Sequence, residues 1–158
     1  MADQAKEVEE LRRRLEVLEE EGGRLLGGAD ILPRSPTAAF DSGTYTPTLT
    51  NGTNVAAATA LECQWLRIDD IVNVSGKVNV DPTSAATTTI LGVSLPISSN
   101  IGAEEDVSGV CGQHDVSAPS GGSIRGNNST SVADLLMHPI GDGNAAWSFI
   151  FQYQLLGS

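Results

Sequence analysis

An alternation of apolar and polar side chains, in short runs between turn residues, constrains the fold of this chain most strongly. In Ala146–Leu155 the large apolar side chains occupy every second position, and Asn73–Val80 and Leu91–Ile97 repeat the pattern. A period of two places such side chains on one face of a β-strand. Asn-Gly, Asp-Pro and Gly-Gly pairs between the runs are typical of tight turns. The sequence therefore predicts a half-buried antiparallel sheet.

The alternating runs extend over the whole of residues 44–158 and define a head domain. Aromatic residues make up 4% and charged residues 18% of the chain, a composition that suits short strands and many turns. Short strands at this spacing are typical of an antiparallel β-sandwich with a jelly-roll-like layout. The predicted strands are Tyr45–Thr50, Thr59–Ile68, Asn73–Val80, Leu91–Ile97, Val107–His114, Ser131–Met137 and Ala146–Leu155.

Residues 4–21 form a charge-dense segment with a helical pattern. Its apolar residues follow the a and d positions of a heptad, and residues of opposite charge flank them at e and g. This spacing predicts a short parallel coiled coil, and leucine at both a and d favours more than two strands. The alternative is a single amphipathic helix packed on its own domain or on a partner. The coiled-coil positions are Val8, Leu11, Leu15 and Leu18.

Residues 22–43 are predicted to link the helix to the head domain. Two Gly-Gly pairs and two prolines interrupt this segment, and both residue types end helices. The segment nevertheless contains apolar residues that are unusual in a free tether and suggest docking on a partner protein. These attachment candidates are Leu25, Leu26, Ile31 and Leu32.

Two predicted strands have apolar residues on both faces. Ile150 and Leu156 face away from the aromatic side of the last strand, and Trp65 is followed directly by Leu66. A strand that is apolar on both sides is central in a sandwich or covered by a neighbouring chain. A small domain has little interior to spare, so we expect Trp65, Ile150 and Leu156 to contribute to a subunit interface.

Net charge and segment lengths exclude several classes of partner. The formal net charge of −11 disfavours binding to nucleic acid or to anionic lipid. The sequence has no apolar run of membrane-spanning length, and its acidic start lacks the features of a signal peptide. We therefore expect a protein assembled in a cytoplasm. The two cysteines, Cys63 and Cys111, are too few for a disulfide framework or a Cys-only metal site and are expected to be small, semi-buried thiols.

The sequence contains residue types that occur in catalytic and metal sites, but they follow no recognisable pattern. Serines near His114 lack the G-x-S-x-G turn of hydrolases, and the acidic groups fit neither an EF-hand nor a clear glycosidase pair. We therefore predict no catalytic, cofactor-binding or metal-binding residues and no enzymatic activity. The groups considered were Ser108, Ser117, Ser120, His114, His138, Asp69, Asp70, Glu104, Glu105, Asp106 and Asp115.

The segment Ala118–Thr130 is rich in glycine and asparagine and is predicted to be a surface loop. Loops at the end of a β-sandwich often bind ligands, and Ser, Asn and Gly suit hydrogen bonding to glycans or polar protein surfaces. Arg125, Asn127 and Asn128 are therefore the candidate binding residues. The alternative is an exposed hairpin without a partner.

Three stretches resemble a β-domain that recurs in the fibre, spike and head-decoration proteins of tailed bacteriophages. They are GTYTPTLTNGTNVAAATALECQWLRIDDIVNVSGKVNVDPT at residues 43–83, TTTILGVSLPISSNIGAEEDVSGVCG at residues 87–112, and AWSFIFQYQLL at residues 146–156. The resemblance implies a trimeric component exposed on the virion surface. It does not extend to the N-terminal helix and linker.

The residue pattern and the resemblance together lead to three hypotheses for function. The first is a structural virion protein, namely a trimeric head fibre, spike or decoration protein whose N-terminal segment attaches to a capsid or other virion protein. The second is a short tail fibre or fibre tip that binds a glycan on the host surface. The third, from a different class, is a tailspike that hydrolyses glycans.

Overall fold

The structure, a computed structural model, describes residues 40–114 and 120–156. The predicted coiled-coil residues Val8, Leu11, Leu15 and Leu18 lie outside the described residues. So do the attachment candidates Leu25, Leu26, Ile31 and Leu32, together with Asp115 and Ser117. Their roles remain predictions.

Ten strands and one 3₁₀ turn make up the described part of the chain. The 3₁₀ turn, Glu104–Asp106, lies directly before the seventh strand. The strands are β1 (Phe40–Tyr45), β2 (Leu49–Asn51), β3 (Val55–Ala60), β4 (Cys63–Ile68), β5 (Ile71–Pro82), β6 (Thr89–Val93), β7 (Val107–Gln113), β8 (Gly121–Asn127), β9 (Val132–Met137) and β10 (Ala145–Gln154).

The strands pair in one antiparallel sheet with the order β1-β4-β5-β10-β7-β8-β9-β6-β2. β5 is twelve residues long, and on one side it pairs first with β4 and then with β3. On its other side it pairs with β10 from end to end. The prediction of a mainly β, antiparallel domain is confirmed. The described residues include no helix with the length and hydrophobicity needed to cross a bilayer.

The sheet curls because β2 and β3, which are consecutive in the chain, pair with distant strands. β2 pairs with β6, whereas β3 pairs with the end of β5. Residues 52–54 join them, and the backbone N–H of Gly52 donates to the carbonyl of Ile90 over 3.1 Å. The described strands thus form one continuous, half-barrel-like sheet, where the sequence predicted a sandwich of two sheets. The physical reason is the length of β5, which pairs with both β4 and β3 and so keeps the sheet continuous.

The concave side of the curled sheet holds the core. The aromatic side chains of β10 line up here as predicted, with Trp147 and Phe151 at 0% and 1% exposure. Each lies opposite a valine of β5, Trp147 against Val78 and Phe151 against Val74. Burial of such a side chain contributes roughly 1.5–3 kcal/mol to the stability of the fold.

Two glycines make room for the aromatic row. Gly76 of β5 lies opposite Phe149, and Gly109 of β7 lies opposite Phe151. A Cβ at Gly76 would come within 3.0 Å of the Phe149 ring, and one at Gly109 within 2.6 Å of the Phe151 Cβ. Any larger residue at either position would displace the aromatic side chain it faces.

Several strand boundaries differ from those predicted. The predicted strand Tyr45–Thr50 spans the end of β1 and the start of β2, separated at Pro47, whose nitrogen cannot donate a ladder hydrogen bond. The predicted strand Thr59–Ile68 likewise covers parts of β3 and β4. β1 begins at Phe40, within the segment predicted as a linker. β8 replaces most of the predicted loop, because its Gly and Ser residues allow close pairing with β7 and β9.

Candidate interaction surface

The convex side of the sheet, opposite the core, presents a surface that we call the outer face. It comprises the solvent-side residues of β1, β4 and β7, together with those of residues 71–75 of β5 and 150–154 of β10. Directly opposed residues of antiparallel strands point to the same side of the sheet. Ile150 therefore shares this face with its two partners, Ser75 and Val110.

The outer face collects the large apolar side chains that the domain leaves in solvent. Among the described residues seven such side chains are exposed, and six of them lie on this face. They form two neighbouring groups, because Phe40 pairs with Ile68, Ile68 with Ile71, and Ile150 with Val110. The six are Phe40 (70% exposed), Leu66 (43%), Ile68 (39%), Ile71 (40%), Val110 (61%) and Ile150 (54%).

The remaining residues of the outer face are uncharged. They are hydroxyl and amide side chains or glycine, such as Ser42, Asn73 and Gln152. Charged groups on this side of the sheet lie beyond its margin, among them Lys77 of β5, Arg125 of β8 and the carboxylates of Glu105 and Asp106 before β7. On a chain with a net charge of −11, a surface of this extent without a carboxylate is unusual. Depletion of charge together with exposed apolar groups is characteristic of the centre of a protein interface.

A shallow cavity of about 290 Å³ lies in the middle of this face, and we call it the Ile150 depression. Its apolar lining includes Leu66 and Ile150, and its polar lining includes Ser42, Asn73 and Ser75. Trp65 also contributes to the lining, but its half-buried ring covers Gly43 on the opposite side of the sheet. Of the adjacent pair Trp65 and Leu66, Leu66 is thus the one that projects outward.

A second cavity of about 230 Å³, which we call the Gln154 depression, lies at the end of the outer face. Its polar lining includes the amide and hydroxyl groups of Gln152, Gln154 and Ser108 and the carboxylates of Glu105 and Asp106. Ile71 and Leu156 supply apolar surface, and Leu156 is half-buried there. The interface candidates predicted from the sequence, Trp65, Ile150 and Leu156, therefore line two depressions of one face.

The predicted binding residues of Ala118–Thr130 do not lie together in a loop. Arg125 and Asn127 belong to β8, and only Asn128 lies in the turn that follows. Arg125 Nη1 donates to Glu104 Oε1 over 2.8 Å, and Asn127 Nδ2 donates to Asp134 Oδ2 over 3.0 Å. Arg125 and Asn127 thus bind groups of other strands or turns, while Asn128 is exposed and, within the described part of the chain, accepts only the hydroxyl of the adjacent Ser129, over 3.4 Å.

Several of the described side chains from which a catalytic site could be built have local partners. His114 Nε2 contacts Ser148 Oγ, and Ser120 Oγ donates to the carbonyl of His138. Asp106 Oδ2 accepts the backbone N–H groups of Gly102 and Ala103 over 2.8 and 2.9 Å, which fixes the 3₁₀ turn. Within residues 40–114 and 120–156, no three His, Cys, Asp or Glu side chains converge on a common metal position.

Both cysteines are free thiols, and both are buried in the core, more deeply than the semi-buried position predicted. Burial raises the pKa of Cys111 to about 11, and burial also raises the pKa of Cys63. Tyr153 is similar, because burial raises its pKa to about 12. Its hydroxyl donates to the carbonyl of Ile97 over 2.7 Å and accepts the Ile97 N–H over 3.2 Å. These groups stay protonated at neutral pH and serve the packing of the domain.

Comparison with known proteins finds similarity at the level of structure alone. No protein-family model matches the sequence, and no curated protein matches it. The reovirus attachment protein sigma1, solved in complex with alpha-2,3-sialyllactose, has a TM-score of 0.47 and 12% identity. The match covers 73% of this chain and 66% of the sigma1 chain, just under two thirds of its length.

A second solved structure is the carboxy-terminal domain of the turkey type 3 siadenovirus fibre, avirulent form, complexed with 3-sialyllactose. It has a TM-score of 0.36 and 10% identity, and the match covers 70% of this chain and 99% of that domain. Similarity at this level shows neither a common family nor a common ligand. Sialyllactose is accordingly a ligand of those two proteins.

Proposed function

We propose that this chain is a non-enzymatic surface protein of a bacteriophage particle that assembles as a homotrimer and projects its β head outward. In this role it is a head fibre, spike or decoration protein. The observation that supports the proposal is the outer face, on which six large apolar side chains are exposed with only uncharged residues between them.

Exposed apolar surface on this scale favours self-association. Removal of apolar surface from water contributes about 25 cal/mol per Å², and the uncharged outer face allows two acidic chains to approach each other without repulsion. The predicted heptad of Val8, Leu11, Leu15 and Leu18 would hold three chains in parallel and so raise the local concentration of the heads.

The N-terminal segment provides the proposed attachment to the particle. Leu25, Leu26, Ile31 and Leu32 would dock on a capsid or other virion protein during assembly in the host cytoplasm. The resemblance of residues 43–83, 87–112 and 146–156 to tailed-phage fibre and decoration domains supports this location on the virion surface. Cryo-electron microscopy of the particle tests it, because density for the chain on the head is expected and density only at the tail would contradict it.

Oligomeric state is the most direct test of the structural role. Light scattering on the eluting full-length chain is expected to give three times the mass of one chain at micromolar concentration. A monomer at this concentration would contradict the proposal.

A second candidate function, binding of a host-surface glycan by a short tail fibre or fibre tip, is favoured by the Gln154 depression. Amide, hydroxyl and carboxylate groups of Gln152, Gln154, Ser108 and Glu105 surround apolar surface there, and this mixture suits a sugar ring with its hydroxyls.

A glycan array probed with the full-length trimer tests this candidate. Binding that is lost in Gln154→Ala and retained in Asn128→Ala would support a tail fibre that uses the depression. Binding lost only in Asn128→Ala would place the receptor site at the β8–β9 turn instead. Absence of binding to every glycan would leave the decoration role as the better description.

A further inference from the structure

We propose that Phe40 of one copy inserts into the Ile150 depression of the next copy, so that three chains close into a ring through three identical contacts. The inference deepens the proposed function and rests on the homotrimer that it invokes. It assigns the contact between subunits to Phe40 and the Ile150 depression. The contact is heterologous, because one copy contributes the side chain and the other copy contributes the depression.

The projecting group is Phe40, at the start of edge strand β1. Its side chain is 70% exposed, more than any other large apolar residue among those described. β1 pairs with β4 on one side and has no strand on its other side within the described sheet. A phenyl group held on an edge strand therefore projects where a second molecule can reach it, and its burial would be strongly favourable.

The Ile150 depression has the size and lining to receive this ring. Its volume of about 290 Å³ exceeds the roughly 150 Å³ of an apolar cavity that accommodates benzene. Leu66 and Ile150 provide apolar contact, while Ser42, Asn73 and Ser75 at its margin can hydrogen-bond to a neighbouring backbone. This is the composition of an apolar pocket surrounded by an uncharged polar rim.

Charge identifies a second copy as the occupant. With a net charge of −11, two copies repel each other over most of their surfaces. The strand residues of the outer face carry no charged side chain, and they include both the projecting phenyl group and the lining of the Ile150 depression, whereas the carboxylates of Glu105 and Asp106 lie at the far end of the face. An acidic chain can therefore pack closely against its own copy at this place.

The closed geometry follows from the threefold symmetry of the proposed trimer. A contact repeated about a threefold axis joins two different patches of neighbouring copies, so the Phe40 side chain of each copy meets the depression of the next. Such heterologous contacts close into rings or continue as filaments. The predicted parallel coiled coil would limit the number of chains to three and so favour closure.

Disulfide trapping tests the contact directly in the full-length chain. The double variant Phe40→Cys/Ser75→Cys is expected to form a covalently closed trimer on mild oxidation. A bond within one chain is excluded, since β4 lies between β1 and β5 and places them roughly 9–10 Å apart. The native Cys63 and Cys111 are buried and free and should not react. Ile140→Cys/Ser75→Cys is the matched control, because Ile140 is 48% exposed but lies outside the outer face.

Each outcome of the trapping experiment is informative. Covalent trimers from the first pair and none from the control would support the proposal. Disulfide-linked dimers of the single variant Phe40→Cys would show that the residues at position 40 of two copies meet each other, and this result would overturn the proposal. Protection of the Ser75→Cys thiol by an added oligosaccharide, without cross-linking between chains, would assign the depression to a glycan and would also overturn it.

A second variant separates this inference from the proposed function. Phe40→Ser should leave the far-ultraviolet circular dichroism unchanged and raise the concentration for half-dissociation of the trimer by about tenfold or more. Ile140→Ser should leave that concentration unchanged. If Phe40→Ser assembles like the wild type, the Phe40 contact is refuted while the trimer stands. If the wild type itself is a monomer, both proposals fail.

Discussion

At the scale of single residues, the core depends on the absence of side chains as much as on their presence. Phe149 and Phe151 stack with ring centroids 5.8 Å apart, and each faces a glycine on a neighbouring strand. Alternation in the sequence was enough to predict that the aromatic residues share a buried face. It did not indicate which glycines oppose them, because that depends on the register between strands distant in sequence.

Gly109→Ala is expected to destabilise the domain. The added Cβ would lie 2.6 Å from the Phe151 Cβ, and overpacking of this kind costs about 1–3 kcal/mol. Gly112→Ala, on the same strand, is the matched control, because its Cβ would meet no atom closer than 3.8 Å. Urea unfolding of both variants measures the difference, and equal stabilities would show that β7 and β10 are not in this register.

Alkaline pH should destabilise the fold, because it favours deprotonation of a buried thiol and a buried phenol. Burial raises the pKa of Cys111 from 9.0 to about 11 and that of Tyr153 from 10.0 to about 12. The pKa values of both groups are higher in the folded state than in the unfolded state. The stability that they contribute to the fold is therefore fully present below about pH 9 and is lost as the pH rises towards 12. Thermal melts between pH 8 and pH 11 should show a falling Tm, and Cys111→Ser should reduce the slope. A constant Tm over this range would contradict the burial of these groups.

At the scale of elements, β5 and β10 were predictable and β8 was not. Alternating valines and aromatics identify the first two, since large apolar groups on one face require a core. Gly121–Asn127 contains one large apolar residue, Ile124, which is buried, and the segment is a strand only because β7 and β9 lie on either side of it. Tertiary pairing thus outweighs local propensity, and Arg125 and Asn127 become strand residues.

The β8–β9 connection gives a prediction for two adjacent asparagines. Asn127 donates to the buried carboxylate of Asp134 and accepts the Ser129 N–H over 3.0 Å, whereas Asn128 is exposed. Asn127→Ala should therefore lower the free energy of unfolding by about 1–3 kcal/mol, because it leaves a buried acceptor unpaired. Asn128→Ala should change it by less than about 0.5 kcal/mol. Chemical denaturation compares the two, and the reverse order would contradict the hydrogen bonds described.

At the scale of the whole molecule, excess apolar surface connects the sequence with the proposed assembly. The sequence predicted this excess at Trp65, Ile150 and Leu156. The structure exposes Ile150 on the outer face, places Leu66 there instead of the Trp65 ring, and adds Phe40 and Val110. The additional residues could not be found from alternation alone, because only the strand order brings β1, β5 and β7 onto one surface. A sheet with one side in a core and the other side apolar is suited to a protein that packs against its own copies.

Sedimentation equilibrium of the full-length chain and of Ile150→Lys tests the central claim most directly. Ile150 is 54% exposed, so a lysine at this position leaves the core intact and places a positive charge in each of the proposed contacts. We predict a trimer for the wild type and for the control Ile140→Lys, and a folded monomer for Ile150→Lys over the same micromolar range. A wild-type monomer, or an Ile150→Lys trimer as stable as the wild type, would contradict the claim that the outer face joins the subunits.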